Sequence, residues 1–241
     1  MISDLAYIAR CFVDILFPPQ CLSCENAPKE GSPFCDDCAA RITFIGDALC
    51  PVCGIPYHTA GADRHLCGDC ITAPPPFSVA RACGIYESAL MDAIHRFKYG
   101  DNPAVGNALG DIMASRSYDS LDIAGFDVIM PVPLHPSKLR RRGFNQALVL
   151  ARRIARKYRL PIDFMSLRRT KPTPAQVDLS GTERRNNVRG AFVVNRKRSV
   201  EGRRVLLVDD VYTTGSTVKE CARTLMRAKA SDVSVLTLAR T

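Results

Sequence analysis

Two groups of residues in this chain have the types and spacing to do chemistry. In the first, Asp209 and Asp210 are adjacent acids, and Thr213, Thr214, Gly215, Ser216 and Thr217 follow within a few positions. Two carboxylates offer acceptors to a pair of vicinal hydroxyls. A small hydroxyl-rich turn that opens a helix can enclose a terminal phosphate, because the first helical amides lack intrahelical partners and the helix dipole favours an anion there. A ribose 5-phosphate meets both demands. In the second group, eight of the eleven cysteines form four CxxC pairs: Cys21/Cys24, Cys35/Cys38, Cys50/Cys53 and Cys67/Cys70. A CxxC turn directs two thiolates at one ion, and a second turn completes a tetrahedron, so the pattern predicts two structural zinc sites.

The plainer reading of the acids is a strand end that binds Mg²⁺, or one of the response-regulator type, but neither accounts for the TTGST directly after them. No GxxxxGK[ST] occurs, which removes an NTPase P-loop. For the cysteines the simplest pairing in sequence gives two zinc ribbons, Cys21/Cys24/Cys35/Cys38 and Cys50/Cys53/Cys67/Cys70, with a cross-braced pairing as the alternative. Disulfides and an iron–sulfur cluster are the rival chemistries. With no secretion signal in view, the regular pairs favour metal in a reducing, cytoplasmic setting. His58 and His65 lie near the second site and are alternative ligands in place of a cysteine, though with eight cysteines present they read first as surface residues. Cys11, Cys83 and Cys221 sit in apolar surroundings and read as buried small side chains.

Several elements must position these groups. The apolar run at 205–208 (VLLV) reads as a parallel strand buried on both faces, with the acids at its carboxyl end, where open α/β sheets place their ligands. Residues 218–229 continue as an amphipathic helix. The pattern further predicts strands at 80–86, 128–132, 191–194 and 233–238, forming a parallel sheet with 205–208. Helices are expected at 90–97, 104–116 and 145–158, the last leaving Arg152, Arg153, Arg156 and Lys157 outside. Pro74, Pro75 and Pro76 read as a stiff linker, which divides the chain into 1–72 and 73–241. Residues 166–190, rich in Arg, Thr, Pro and Asn without a sustained period, suggest a long loop of the kind used as a lid.

The 241 residues carry a net charge of +9, unevenly spread. Residues 1–72 are at −5 and 73–241 at +14; each filled four-thiolate site adds −2, taking the first part near −9 and the chain near +5. Acidic ribbons repel phosphates, so a basic surface for nucleic acid belongs to the second part, and the ribbons suit a structural or partner-docking role. Residues 135–204, with twenty Lys/Arg against four Asp/Glu, hold the strongest bias. Near the N-terminus, Leu5, Ile8, Ala9, Phe12 and Leu16 share a helical face interrupted by Arg10 and Asp14, which predicts a docking helix and no membrane span. Phe144, Tyr158 and Tyr212 are scattered aromatics that read as packing residues before base-stacking platforms.

The run VLLVDDVYTTGST resembles the phosphoribosyl-pyrophosphate signature of type I phosphoribosyltransferases. That resemblance implies an α/β fold, a parallel sheet flanked by helices, carrying here a small N-terminal four-cysteine zinc-ribbon module. It assigns Asp209 and Asp210 to the ribose hydroxyls as the catalytic acids, and Val211, Thr213, Thr214, Gly215, Ser216 and Thr217 to the rest of the ligand site. By position, the pyrophosphate loop falls on Leu134 and His135, with cationic help from Lys138, Arg140, Arg141 and Arg142. The segment RRTKPTPAQ, with Arg168, Arg169 and Lys171, resembles the flexible catalytic loop. Mg²⁺ is expected with phosphoribosyl pyrophosphate.

The wider order of motifs, paired CxxC ribbons, then PVPLHP, RRRGFNQA and the signature, is similar to the ComF family of competence proteins. The family resemblance implies uptake or handling of transforming DNA, with the sugar diphosphate bound but no established acceptor. Three functions follow as expectations. The chain is a DNA-handling factor with a phosphoribosyl site and a basic surface for single-stranded DNA, an active phosphoribosyltransferase on an unidentified acceptor, or an adaptor whose ribbons dock a competence helicase or recombination mediator.

Overall fold

Val205, Leu206, Leu207 and Val208 are fully buried inside a four-stranded parallel sheet in the computed structural model, which describes residues 19–57, 65–100, 103–172, 188–195 and 200–241. The strands are β1 (Ala80–Ile85), β2 (Val128–Pro131), β5 (Arg204–Tyr212) and β6 (Asp232–Arg240), in the order β1-β6-β5-β2. Side chains alternate across a strand. Leu206, Val208, Leu236 and Leu238 accordingly enter one core, while Val205, Leu207, Val233 and Val235 enter the other.

The first core is closed by α3 (Ser88–Tyr99), α4 (Pro103–Ser115) and α6 (Gln146–Tyr158), which bury Leu90, Ile94, Phe97, Leu109, Leu150 and Ile154. Beneath the second core lies α7 (Ser216–Arg227), through Val218, Cys221, Ala222 and Leu225. Covering both faces is what allows the strands to read as unbroken apolar runs. Each element predicted above for the sheet and its helices is present within two residues at its start, except in two places.

β5 runs four residues past Val208 because β6 pairs along its whole length, from Arg204↔Asp232 to Tyr212↔Arg240. The acid pair therefore lies within hydrogen-bonded strand. The 191–194 segment does not join the sheet: β4 (Phe192–Val194) pairs antiparallel with β3 (Leu167–Arg169) in a separate two-stranded ribbon. Its three apolar residues face a partner on one side only, and Val193 remains exposed.

Both edges of the sheet are closed by short segments. Against β1, Ile85 N donates to Thr43 O at 2.9 Å and Ile45 N to Cys83 O at 3.1 Å, with Phe44 bridging Gly84. Gly84 is required there, since a Cβ would lie 2.7 Å from Leu90 Cδ2 and 3.0 Å from Thr43 O. Against β2, Ile129 N donates to Pro161 O at 2.9 Å and Asp163 N to Ile129 O at 3.0 Å.

The cysteine-bearing segment packs directly on this scaffold. Leu22, Phe34 and Cys38 share the first core with α3, and Ala80 N donates to Val52 O at 2.7 Å. The short helices α1 (Asp36–Ala40) and α2 (Gly68–Thr72) begin at Cys35 and Cys67. The N-terminal docking helix, Cys11, His58 and most of the 166–190 segment, including Gln176, lie outside the described residues. Among the described residues no helix is long and apolar enough to cross a membrane.

Candidate functional site: a cleft at the sheet's carboxyl edge and two four-cysteine centres

A cavity of about 260 Å³ opens where β5 and β2 end. Asp209, Asp210, Val211, Thr213, Gly215, Ser216 and Thr217 line it, so the strand, turn and helix start converge as their adjacency implies. Gly215 caps α7 in the left-handed region (φ +69°), and a Cβ there would meet the Tyr212 hydroxyl at 2.3 Å. Only glycine lets the turn lie against that ring. Thr214 does not line the cavity; its Oγ1 hydrogen-bonds with Ser216 Oγ at 2.7 Å and braces the turn from behind.

The two acids meet different surroundings. Burial works to raise Asp210, but the Lys98 ammonium at 2.9 Å and the Val211 amide at 2.8 Å outweigh it and hold the carboxyl below its ordinary value. Lys98 in turn loses hydration but is held above its usual value by Asp210. Among the described residues no ammonium pairs directly with Asp209, and Lys98 acts on it only at longer range. Burial, and then the charge of Asp210, push it well above the carboxylate range.

Across the cavity stand cations. Lys138, Arg141 and Arg142 come from α5 (Pro136–Arg142), and Arg169 from β3. Burial, followed by Arg169, Arg142 and Arg141, pulls Lys138 below its ordinary value, and burial does the same to Arg169. Like charges so placed favour an anion between them. Gln146, only 2% exposed, lines the same cavity, and its Nε2 donor has no hydrogen-bond partner among the described residues. A buried donor without a partner costs about 1–3 kcal/mol, which a ligand oxygen would recover.

The RGFNQ run builds this wall. Gly143 ends α5 in the left-handed region, Asn145 caps α6 by accepting from Ala147 N at 3.1 Å, and its Nδ2 donates to Val132 O at 3.1 Å. That second bond ties the helix start to the end of β2. Of the positions expected to hold pyrophosphate, Leu134 and Arg142 line the cavity, whereas Arg140 and His135 do not. His135 Nδ1 accepts from Ser137 N at 3.2 Å and caps α5. In the RRTK segment Arg169 reaches the cavity. Arg168 Nε donates to Met165 O at 3.3 Å, and Lys171 Nζ to Arg189 O at 3.4 Å, both outside it.

Sequence reasoning missed Lys98, which lies in the last turn of α3, far along the chain from the acid it pairs with. Beside it Tyr99 is 69% exposed at the cavity rim, with the Arg142 guanidinium 5.5 Å from its ring centroid. The only signal available was a Lys-Tyr-Gly run closing a helix, which is also how many solvated helices end.

The eight paired cysteines form two clusters in sequence order, Cys21/Cys24/Cys35/Cys38 and Cys50/Cys53/Cys67/Cys70, each with its sulfurs within 4.8 Å of one another. This excludes cross-bracing. Burial opposes ionisation of Cys21 and Cys50, yet amides of Cys24, Cys35 and Ser23 for the one, and of Cys67, Cys53 and Val52 for the other, bring each thiol down to about 6. The thiolate is the form that binds zinc, and metal binding displaces the protons of the remaining thiols. Arg41 Nη2 lies 3.2 Å from Cys38 Sγ and adds an outer hydrogen bond at the first centre. The residues fit two structural, four-thiolate zinc ions.

A parallel sheet with an acid pair and an anion turn at its carboxyl edge, preceded by two four-cysteine centres, defines a double zinc ribbon joined to a type I phosphoribosyltransferase fold. Residues 12–71 match the double zinc ribbon domain and residues 142–241 the phosphoribosyl transferase domain. The chain is 35% identical to the DNA utilization protein YhgH of Escherichia coli (strain K12), with 86% of this chain and 90% of that protein covered. It is 30% identical to competence protein F of Haemophilus influenzae, over 91% and 90% of the two chains. The chain belongs to the ComF family of competence proteins. Among solved structures it is similar to the allosteric regulatory enzyme of purine biosynthesis, at 24% identity and a TM-score of 0.37, covering 55% of this chain and 25% of that one.

Proposed function

We propose that this protein binds phosphoribosyl pyrophosphate with Mg²⁺ in the cleft and uses that site while handling transforming DNA in the cytoplasm. The observation that carries the reading is the convergence on one cavity of an acid pair, a helix-opening turn and four cations. Asp209 and Asp210 accept from the ribose hydroxyls. The amides and hydroxyls of Thr213, Gly215, Ser216 and Thr217 hold the 5-phosphate, with Val211 flanking them and Thr214 bracing the turn. Lys138, Arg141, Arg142 and Arg169 face the diphosphate, and Gln146 Nε2 supplies a further donor. Burial and the charge of Asp210 disfavour Asp209 as a bare carboxylate, and a divalent cation brought in by the diphosphate would relieve that cost, so the acid pair fits such an ion. Held there with the diphosphate, Mg²⁺ would supply neutralisation of the leaving group's charge.

A titration of thermal stability with phosphoribosyl pyrophosphate and Mg²⁺ tests the reading. The wild type is expected to shift upward and the Asp209→Asn/Asp210→Asn double variant to remain folded without a shift; equal shifts would refute the assignment. Transfer to an acceptor is a second reading, favoured by the cations on the leaving-group side of the cavity and the exposed Tyr99 at its rim. In that reaction the chain contributes position and fixed charge as positive charge builds on the ribose. Release of pyrophosphate in a screen of amines and bases would establish it.

The relatives' names, DNA utilization protein and competence protein, support a DNA-handling role. Arg152, Arg156, Lys157 and Arg159 are exposed on and just after α6 and offer contacts to single-stranded DNA. Binding carried by phosphate contacts must weaken as salt rises; an affinity for single-stranded DNA indifferent to salt would remove that part of the proposal. The acidic ribbons, read with residues 1–72 as a unit ahead of the 73–241 domain, suit docking to a basic face on a competence helicase or recombination mediator.

A further inference from the structure

The second zinc ribbon and the anion turn are connected by two side chains, Arg240 and Tyr212, of which Tyr212 also lines the cavity. Arg240, the last residue of β6, is 5% exposed and donates Nη1 to the carbonyl of Cys53 at 2.6 Å. Its guanidinium carbon lies 4.8 Å from the ring centroid of Tyr212, its cross-strand partner on β5. The Tyr212 ring forms the floor under Gly215, so close that a Cβ at that glycine would lie 2.4 Å from Cζ. Thr241 N donates to Tyr212 O at 3.1 Å and pins the strand end.

The ribbon side of this path is equally tight. Gly54 follows Cys53 in the left-handed region, and a Cβ there would lie 2.4 Å from Ala80 O on β1. A second buried arginine, Arg81, donates Nη2 to Pro51 O at 3.0 Å. The turn at 50–54 therefore cannot change shape without moving the acceptors of two buried guanidinium groups. Its shape depends on four thiolates sharing one centre, because a four-cysteine zinc turn is held by its metal.

We propose that zinc at Cys50, Cys53, Cys67 and Cys70 holds the 213–217 turn in its anion-binding form through Arg240 and Tyr212, which act as positioning residues. The inference rests on the reading of that turn as the phosphate site. When the metal leaves, the 50–54 turn relaxes and Cys53 O moves. Arg240, a buried cation deprived of its acceptor, then leaves the Tyr212 ring, and the turn above loses its floor. Linkage requires the reverse effect with equal strength: a ligand that orders the turn retains the zinc.

The test uses the full chain loaded with two zinc ions, the wild type beside Arg240→Met. Release of zinc to 4-(2-pyridylazo)resorcinol is followed with and without phosphoribosyl pyrophosphate and Mg²⁺, and amide hydrogen exchange is read over 212–218. In the wild type the ligand is expected to slow release of one of the two zinc ions about 5- to 50-fold. Arg240→Met, with both zinc ions still present, is expected to lose that protection and to exchange faster at the turn. Ligand that binds the wild type and leaves both release rates unchanged overturns the coupling while preserving the proposed function. Should the wild type bind no ligand, the proposed function fails. Exchange then decides the coupling: turn amides that stay equally protected after zinc is stripped from a still-folded chain overturn it. If Arg240→Met does not fold, the wild-type release rates decide alone.

Discussion

Odd and even positions of β5 face opposite sides of the sheet, so Asp209 and Asp210 meet different neighbours. Asp210 points to α3 and its lysine; Asp209 feels that lysine only at longer range, and burial with the charge of Asp210 outweighs it. The sign of the consequence follows from proton binding. Because Asp209 is raised in the folded state, the native chain holds this proton more tightly than the unfolded chain, whose aspartate titrates near ~3.9. Stability is therefore lost as pH rises above about 4 and stays lost beyond the folded value. Asp209→Asn is expected to raise Tm at pH 7 by about 2–4 °C, the equivalent of about 1 kcal/mol, and to give no gain near pH 3. Thermal melts at the two pH values check this; a gain of equal size at both would show that charge is not the cause. The Lys98–Asp210 pair behaves oppositely. The depressed Asp210 contributes above its unfolded pKa and is lost as acid reaches its folded one. The raised Lys98 contributes below its unfolded pKa and is lost at the alkaline end. Lys98→Met is thus expected to lower Tm across the neutral range, with the difference from the wild type shrinking at both the acid and the alkaline end, measured as Tm against pH.

At the scale of elements, the site depends on how α6 and α7 begin. Asn145 satisfies a first-turn amide of α6 and anchors that helix to β2, two roles its one carboxamide fills because it carries both an acceptor and a donor. Asn145→Ala is expected to cost about 1 kcal/mol as a lost N-cap and also to loosen the wall carrying Gln146. A denaturant midpoint measures the first effect and ligand affinity the second; a loss of stability with unchanged affinity would separate cap from site. The run VLLVDDVYTTGST was legible because strand, acids and turn are contiguous, so local chemistry and position coincide. Phe192–Val194 was not, since a short apolar run looks alike in a covered sheet and in a two-stranded ribbon. Lys98 was illegible for another reason: its partner is brought to it only by the α3–β5 packing. His135 illustrates the converse, a residue placed by motif order whose ring serves as a helix cap.

For the whole molecule, the CxxC pairs and their fitness for metal were readable from spacing, but which pairs share an ion was left between sequential and cross-braced, and the way the ribbons fuse with the sheet was not readable because Pro74 to Pro76 reads equally well as a tether. Leu22, Phe34 and Cys38 lie in one core with Phe97 and Ile94. Removing zinc is accordingly expected to lower a single unfolding transition for the entire chain. A separate low-temperature transition of the ribbons in a calorimetric scan, with the main one unmoved, would contradict a shared core. The segment between the two ribbons, residues 43–45, is also what closes the β1 edge. An uncovered strand edge presents unpaired amides and carbonyls to any other chain. Loss of metal is therefore expected to uncover this edge. Chains made under zinc starvation are expected to scatter light and sediment, and restoring the ion before that happens is expected to prevent it.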